Sequence, residues 1–274
     1  MRVARYALDG SDPQFGLVEL ASDKGEHPDT IAAISGDPLA GPVNYTGERH
    51  SLDDVRLLAP VIPRSKIIGV GKNYAAHAAE MGGEVPAQPL LFFKPNTSVI
   101  GPDDPIVRIK ECKDLHHEGE LAVVIGRICK DVPIERVPEV IFGFTIANDV
   151  TARDLQAMDG QWARAKGSDT FCPIGPWIIT HMSPEIAGDL RITTTVADQH
   201  TPDEVEVRQD DSTQLMVRGI AELISHISSF TTLLPGDVIL TGTPAGVGSI
   251  EPGQRVTVAI EGIGELSNPV VDAE

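Results

Sequence analysis

A chain of 274 residues with 40 acidic and 22 basic side chains carries a formal net charge of −18, and 41% of it is hydrophobic. Such a charge repels polyphosphates and anionic lipid surfaces, which excludes nucleic acid and membrane as expected partners and obliges any site for an anionic substrate to supply local positive charge. Cys112, Cys129 and Cys172 form no CxxC pair, the start Met1–Tyr6 has no apolar secretory core, and no apolar run is long enough to span a bilayer, so a reducing, cytoplasmic setting is expected.

Residues 1–62 read as a small β-rich N-terminal domain. Val3–Leu8 and Phe15–Leu20 are expected to pair as a hairpin around Asp9-Gly10-Ser11-Asp12-Pro13. Catalytic side chains do not concentrate there, and Pro60 and Pro63 mark the passage to a larger domain, residues 63–274. Lys66–Gly71 is a buried-type strand, and the alanine-rich stretch from Lys72 to Gly83 predicts a short helix closed by glycine. On that helix His77 and Glu80 share a face; a carboxylate beside an imidazole fixes its tautomer and suits a general base, or forms an ordinary surface pair. Leu90–Lys94 is a further strand ending at a lysine and a proline.

The stretch from His116 to Gly126 reads as one strand. Alternation places Glu118 and Glu120 on one face with His116, and Leu121, Val123 and Ile125 on the other, while His117 points away from the acids. Two neighbouring carboxylates repel unless a cation or a proton sits between them. The pair is either a solvated strand face or part of a divalent metal site. Ile141–Asp149 is another apolar strand that ends in an acid. Thr151-Ala152-Arg153-Asp154 resembles a capping box, and a helix starting there puts Arg153 and Gln156 on one face. Residues 157–165 are polar and irregular and could form a flap, and Lys166 precedes Gly167. From Trp177 onward strands dominate, with one helix over 219–230 whose apolar stripe is Ile220, Leu223, Ile224 and Ile227. The glycine-rich loop 242–248 lacks the Lys-Ser or Lys-Thr of a phosphate loop.

Glu118, Glu120 and Asp149 together offer all-oxygen ligation, which selects a hard cation, Mg²⁺ or Mn²⁺, over zinc. Five ordered stretches carry a family resemblance: Gly71–Glu80, His117–Gly126, Asn148–Gln156, Lys166–Phe171 and Thr241–Pro244. With them the chain resembles the fumarylacetoacetate hydrolase family, in the subgroup that includes dienedioate isomerases. The resemblance implies an α+β, mostly β fold with a mixed β-roll catalytic domain, usually dimeric. It implies Mg²⁺ or Mn²⁺ on Glu118, Glu120 and Asp149, a substrate gripped by Arg153, Gln156 and Lys166, and a catalytic His77–Glu80 pair on a lid helix. Lys72 and Thr243 fall at substrate-lining positions. The expected substrate is a 2-oxo acid that chelates the metal, with the charge of an enolate taken up there. Hydrolysis of a 2,4-dioxo acid, decarboxylation of oxaloacetate and isomerisation of a 2-hydroxy-dienedioate share that intermediate. A reading of another class is a metal- or ligand-binding protein without a catalytic step.

Overall fold

The strand Gly119–Ile125 is buried along its whole length, and the molecule is laid around it in this computed structural model, which describes residues 1–21 and 28–274. Its side chains alternate between two cores. Leu121, Val123 and Ile125 join Ile68, Phe144, Leu223 and Ile239, while Ala122 and Val124 join Ile67, Ile174, Val238 and Leu240. A strand covered on both faces needs a continuous apolar run, which Leu121–Ile125 provides. It pairs antiparallel with Ile141–Asn148 on one side and with Val238–Leu240 on the other.

From this centre a twelve-stranded sheet runs through Ile67–Gly71 to Leu90–Lys94 in one direction. In the other it runs through Cys172–Ile179 to Arg2–Ala7. The expected N-terminal hairpin forms between Arg2–Ala7 and Gln14–Glu19, followed by Thr30–Ser35 and Asn44–Ser51. Because Arg2 and Val3 pair with Ile179 and Ile178, the N-terminal strands extend the central sheet. A five-stranded sheet, with Arg191–Asp198 and Gln254–Ile260 at its middle, packs across the first. A Cβ at Gly119 would overlap the Thr194 hydroxyl, so the glycine between the two glutamates is what lets the sheets approach. The helix Ile220–Phe230 buries the predicted stripe of Ile220, Leu223, Ile224 and Ile227. The mostly β, α+β architecture is as the sequence implies, and among the described residues no helix is long and apolar enough to cross a membrane.

Four local expectations are corrected. The stretch 116–126 is two strands, Leu115–His117 and Gly119–Ile125, in different sheets, with Glu118 at the switch. The Asn148 side chain accepts from the Glu118 amide at 2.9 Å and turns the chain there. The lid helix is only Ala75–Glu80, because Lys72 has φ 57° and Asn73 is tied to Thr241 and Arg218 through three side-chain hydrogen bonds. There is no capping box at Thr151: Thr151–Ala152 is a short strand beside Leu115–His117, and the helix runs Arg153–Asp159. The Thr151 hydroxyl donates to the Asp149 carbonyl, and the Asp154 carboxylate accepts from the Lys113 amide, so neither is free to cap. Finally, residues 157–165 are less irregular than their polarity suggests: Gly160 makes a left-handed stop, and Ala163–Gly167 is helical.

Candidate active site

Three acids converge at the sheet junction. Glu118 lies at the switch between sheets, Glu120 on the central strand, and Asp149 just beyond the end of Ile141–Asn148. The antiparallel register sets Gly119 opposite Asn148, and the Asp149 amide donates to the Glu118 carbonyl at 2.8 Å. Ligand oxygens of Glu118, Glu120 and Asp149 lie within 4.8 Å of one another, and all three residues are buried. The solvated-face alternative for the glutamates is thereby excluded.

Cations from three elements meet them. Lys166, on the short helix Ala163–Gly167, bridges Glu118 at 2.7 Å and Asp149 at 2.6 Å, and it is 2% exposed. Arg153 donates to Glu118 and, at 2.9 Å, to Gln156, so the predicted shared face of that helix is aimed at the acids. Lys94, at the end of Leu90–Lys94, donates to Asp149. Sequence reasoning passed over Lys94; its signal was a lysine closing an apolar strand, where burial forces a charge partner. His116 accepts from the Arg153 Nε–H at 3.3 Å through Nδ1 and pairs with Asp114 at 3.0 Å through Nε2, which orients the guanidinium. His117 is fully buried, and burial, then the Arg208 charge, push it down to about 4.

The acids ionise differently. Burial opposes the charge on Glu118, but Arg153 and Lys166 outweigh it and hold this carboxyl well below the usual range. Glu120 goes the other way: burial, then the charges of Asp149 and Glu118, push it up, and the Gly242 amide at 2.6 Å is its direct partner. Lys166 has its charge opposed by burial but reinforced more strongly by Asp149 and Glu118. Glu118 titrates at lower pH when folded than its unfolded value of 4.5, so its stabilisation is complete above that value and is lost as pH falls. In metal-free protein, Glu118→Gln therefore costs about 3 kcal/mol at pH 7, the low end for a broken buried pair because Glu120 and Asp149 gain relief. Urea unfolding in EDTA checks this, and the gap between variant and parent narrows as the pH is lowered through 4.5.

The short helix Ala75–Glu80 carries the predicted imidazole–carboxylate pair. His77 is buried, and its Nδ1 lies 3.4 Å from Glu80. The Glu80 carboxylate also accepts from the Gly246 amide at 3.0 Å, so the glycine-rich loop anchors the pair. Thr243 is buried, with its hydroxyl donating to the Gly119 carbonyl at 2.8 Å and accepting from Gln209. Lys72 lies at the foot of the lid with its ammonium against Gly83, and it makes no ion pair among the described residues.

The donor set suits a hard divalent cation: three carboxylates within reach of one another, one of them without a direct cationic partner. Three buried carboxylates, two buried lysines and an imidazole–carboxylate pair, drawn from distant parts of the chain, make a candidate enzyme site for a small anion. Residues 66–271 match the model of the fumarylacetoacetate (FAA) hydrolase C-terminal domain, and residues 1–60 match that of an Rv2993c-like N-terminal domain. The chain belongs to the fumarylacetoacetate hydrolase family. A 5-carboxymethyl-2-hydroxymuconate delta-isomerase from Mycobacterium smegmatis is 49% identical, with all of both chains covered and a TM-score of 0.86. The mitochondrial oxaloacetate tautomerase Fahd2a of Rattus norvegicus is 40% identical over 79% of this chain and 70% of its own. A maleylpyruvate hydrolase from Sphingobium sp. SYK-6, in complex with manganese(II) and pyruvate, is 30% identical over all of both chains, with a TM-score of 0.78. Like these relatives, the chain is an enzyme.

Proposed function

We propose that this enzyme acts on 2-oxo acids through their enolates, and that its first reaction is hydrolysis of the C–C bond of a 2,4-dioxo acid. The observation that carries the reading is the buried His77–Glu80 pair, anchored through the Gly246 amide to the same glycine-rich loop whose Gly242 amide reaches Glu120. Mg²⁺ or Mn²⁺ would be held by Glu118, Glu120 and Asp149, where it supplies Lewis acidity toward the carboxylate and 2-oxo oxygens of the substrate.

The chain's own groups do the rest. Arg153 and Gln156 bind the substrate carboxylate, and Thr243 helps to fix the wall of the site. Lys166 faces the oxygen where charge accumulates. Glu80 holds the proton on His77 Nδ1, which leaves Nε2 to take a proton from water. That water adds to the 4-carbonyl carbon, the C3–C4 bond breaks, and its electron pair passes into the enolate of pyruvate. A proton returned to C3 completes the balance, so acetylpyruvate and water give acetate and pyruvate. Lys72 is positioned at the lid for the distal end of the substrate. The reading includes a cytoplasmic homodimer, in keeping with three free cysteines and the exposed Val205 and Val207 on the strand Thr201–Ser212.

A second reading, isomerisation or tautomerisation, is favoured by the names of the Mycobacterium smegmatis and rat relatives, and it requires only proton movement. Oxaloacetate decarboxylation uses the same enolate without the water. Mg²⁺-dependent turnover of acetylpyruvate, oxaloacetate and a hydroxymuconate-type diacid, measured side by side, tests the proposal. Cleavage of acetylpyruvate to acetate and pyruvate as the fastest reaction supports it. Isomerised diacid beside intact acetylpyruvate moves the assignment to the second reading.

A further inference from the structure

One wall of the site is built with care that the chemistry above does not use. On the strand Leu90–Lys94, Phe92 shares a face with Lys94, whose ammonium contacts Asp149. The Phe92 ring lies over Gly69 of the neighbouring strand, where a Cβ would overlap it. Trp162 packs edge-on against Phe92, with ring centroids 5.3 Å apart and planes at 65°. Its own ring covers Gly71, where a Cβ would come within 3.1 Å of Cη2. Two glycines of one strand thus make a platform for two aromatic rings. Both rings are half-buried, and the indole N–H makes no hydrogen bond among the described residues.

The wall starts where the acid cage ends. Lys166 Nζ touches Glu118 and Asp149 on one side and stands 5.1 Å from the Phe92 centroid on the other. Trp162 lies one helical turn before Lys166, its carbonyl accepting from the Lys166 amide at 2.9 Å. The far side of Glu120 is closed by the Gly242 amide. A substrate with its oxygens at the acids would therefore have the apolar rings of Phe92 and Trp162 as its neighbours beyond Lys166.

We infer that Phe92 and Trp162 form the subsite for the carbon tail beyond the reacting carbonyl, and that they select a planar, unsaturated tail over a bare methyl group. Flat conjugated chains stack on aromatic faces, whereas a methyl group ends before reaching them. The inference rests on the 2-oxo acid reading of the site, and the test separates the two. Specificity constants are measured for acetylpyruvate, butanoylpyruvate and crotonoylpyruvate in the parent, Trp162→Leu, Phe92→Leu and Trp162→Phe. The crotonoyl-to-acetyl ratio falls about tenfold in both leucine variants, chiefly through KM, and is largely kept in Trp162→Phe. Losses that are equal for all three substrates would make the rings mere packing and overturn the subsite. Binding is also read without turnover: with Mg²⁺ present, crotonoylpyruvate quenches tryptophan emission in the parent but not in Trp162→Phe. Quenching without cleavage of any acylpyruvate removes the hydrolase reading and keeps the subsite. Cleavage with neither the ratio nor the quench dependent on Trp162 removes the subsite alone.

Discussion

Replacing His77 with alanine lowers acylpyruvate hydrolysis about a thousandfold, within the range for a lost general base. The expectation follows from geometry. His77 is held by Glu80, and Glu80 is held by the Gly246 amide, so the imidazole meets substrate in one orientation and one tautomer. Glu80→Gln keeps an acceptor for the Gly246 amide but loses the charge that supports the imidazole, and so falls between the parent and His77→Ala. The variant should fold, because the lid helix is only six residues, Ala75–Glu80, and contributes little core. Tautomerisation or isomerisation, which needs no attacking water, loses less than about tenfold in the same protein. Parallel rates for cleavage and tautomer exchange check the split, and equal losses in both would place His77 in proton transfer to carbon.

Lys166→Met removes the cation that spans Glu118 and Asp149, and turnover falls about 10²–10³-fold through loss of a preorganised positive charge at the enolate. Its effect on the metal differs from that of removing an acid. Lys166 pairs with Glu118 and Asp149, two of the acids that would hold a divalent ion, so the variant keeps or gains Mn²⁺ affinity while losing activity. Without metal it is less stable, since Glu118 is left to Arg153 and Asp149 to Lys94. Melting temperatures with and without Mn²⁺ check this: the rise on adding metal is larger in Lys166→Met than in the parent.

The acids were legible because two carboxylates on one strand face and a third at a strand end are costly unless they meet a cation or a proton, and that logic needs no tertiary detail. The apolar helix Ile220–Phe230 and the N-terminal hairpin were legible through periodicity and turn residues. What local pattern could not supply was set by distant partners. The break at Glu118 depends on the Asn148 side chain, thirty residues away. The late start of the lid helix depends on Asn73 reaching Thr241 and Arg218. Lys94 belongs to the site only because antiparallel pairing of its strand with Ile67–Gly71 brings it beside Asp149. The edge strand Asn44–Ser51, mostly exposed, and its neighbour Thr30–Ser35, mostly buried, gave no clear alternation.

Calorimetric titration of Mn²⁺ into the EDTA-stripped protein, alongside Glu120→Gln, bears most directly on the acid triad. Glu120 has no cation in direct contact and is pushed toward its neutral form by burial and by Asp149 and Glu118, so it is the acid that gains most from an arriving ion. The parent should take up about one ion per chain and release protons as it does so, and Glu120→Gln should bind at least about a hundredfold more weakly. No uptake by the parent, or equal uptake by the variant, would contradict a metal centre built from Glu118, Glu120 and Asp149.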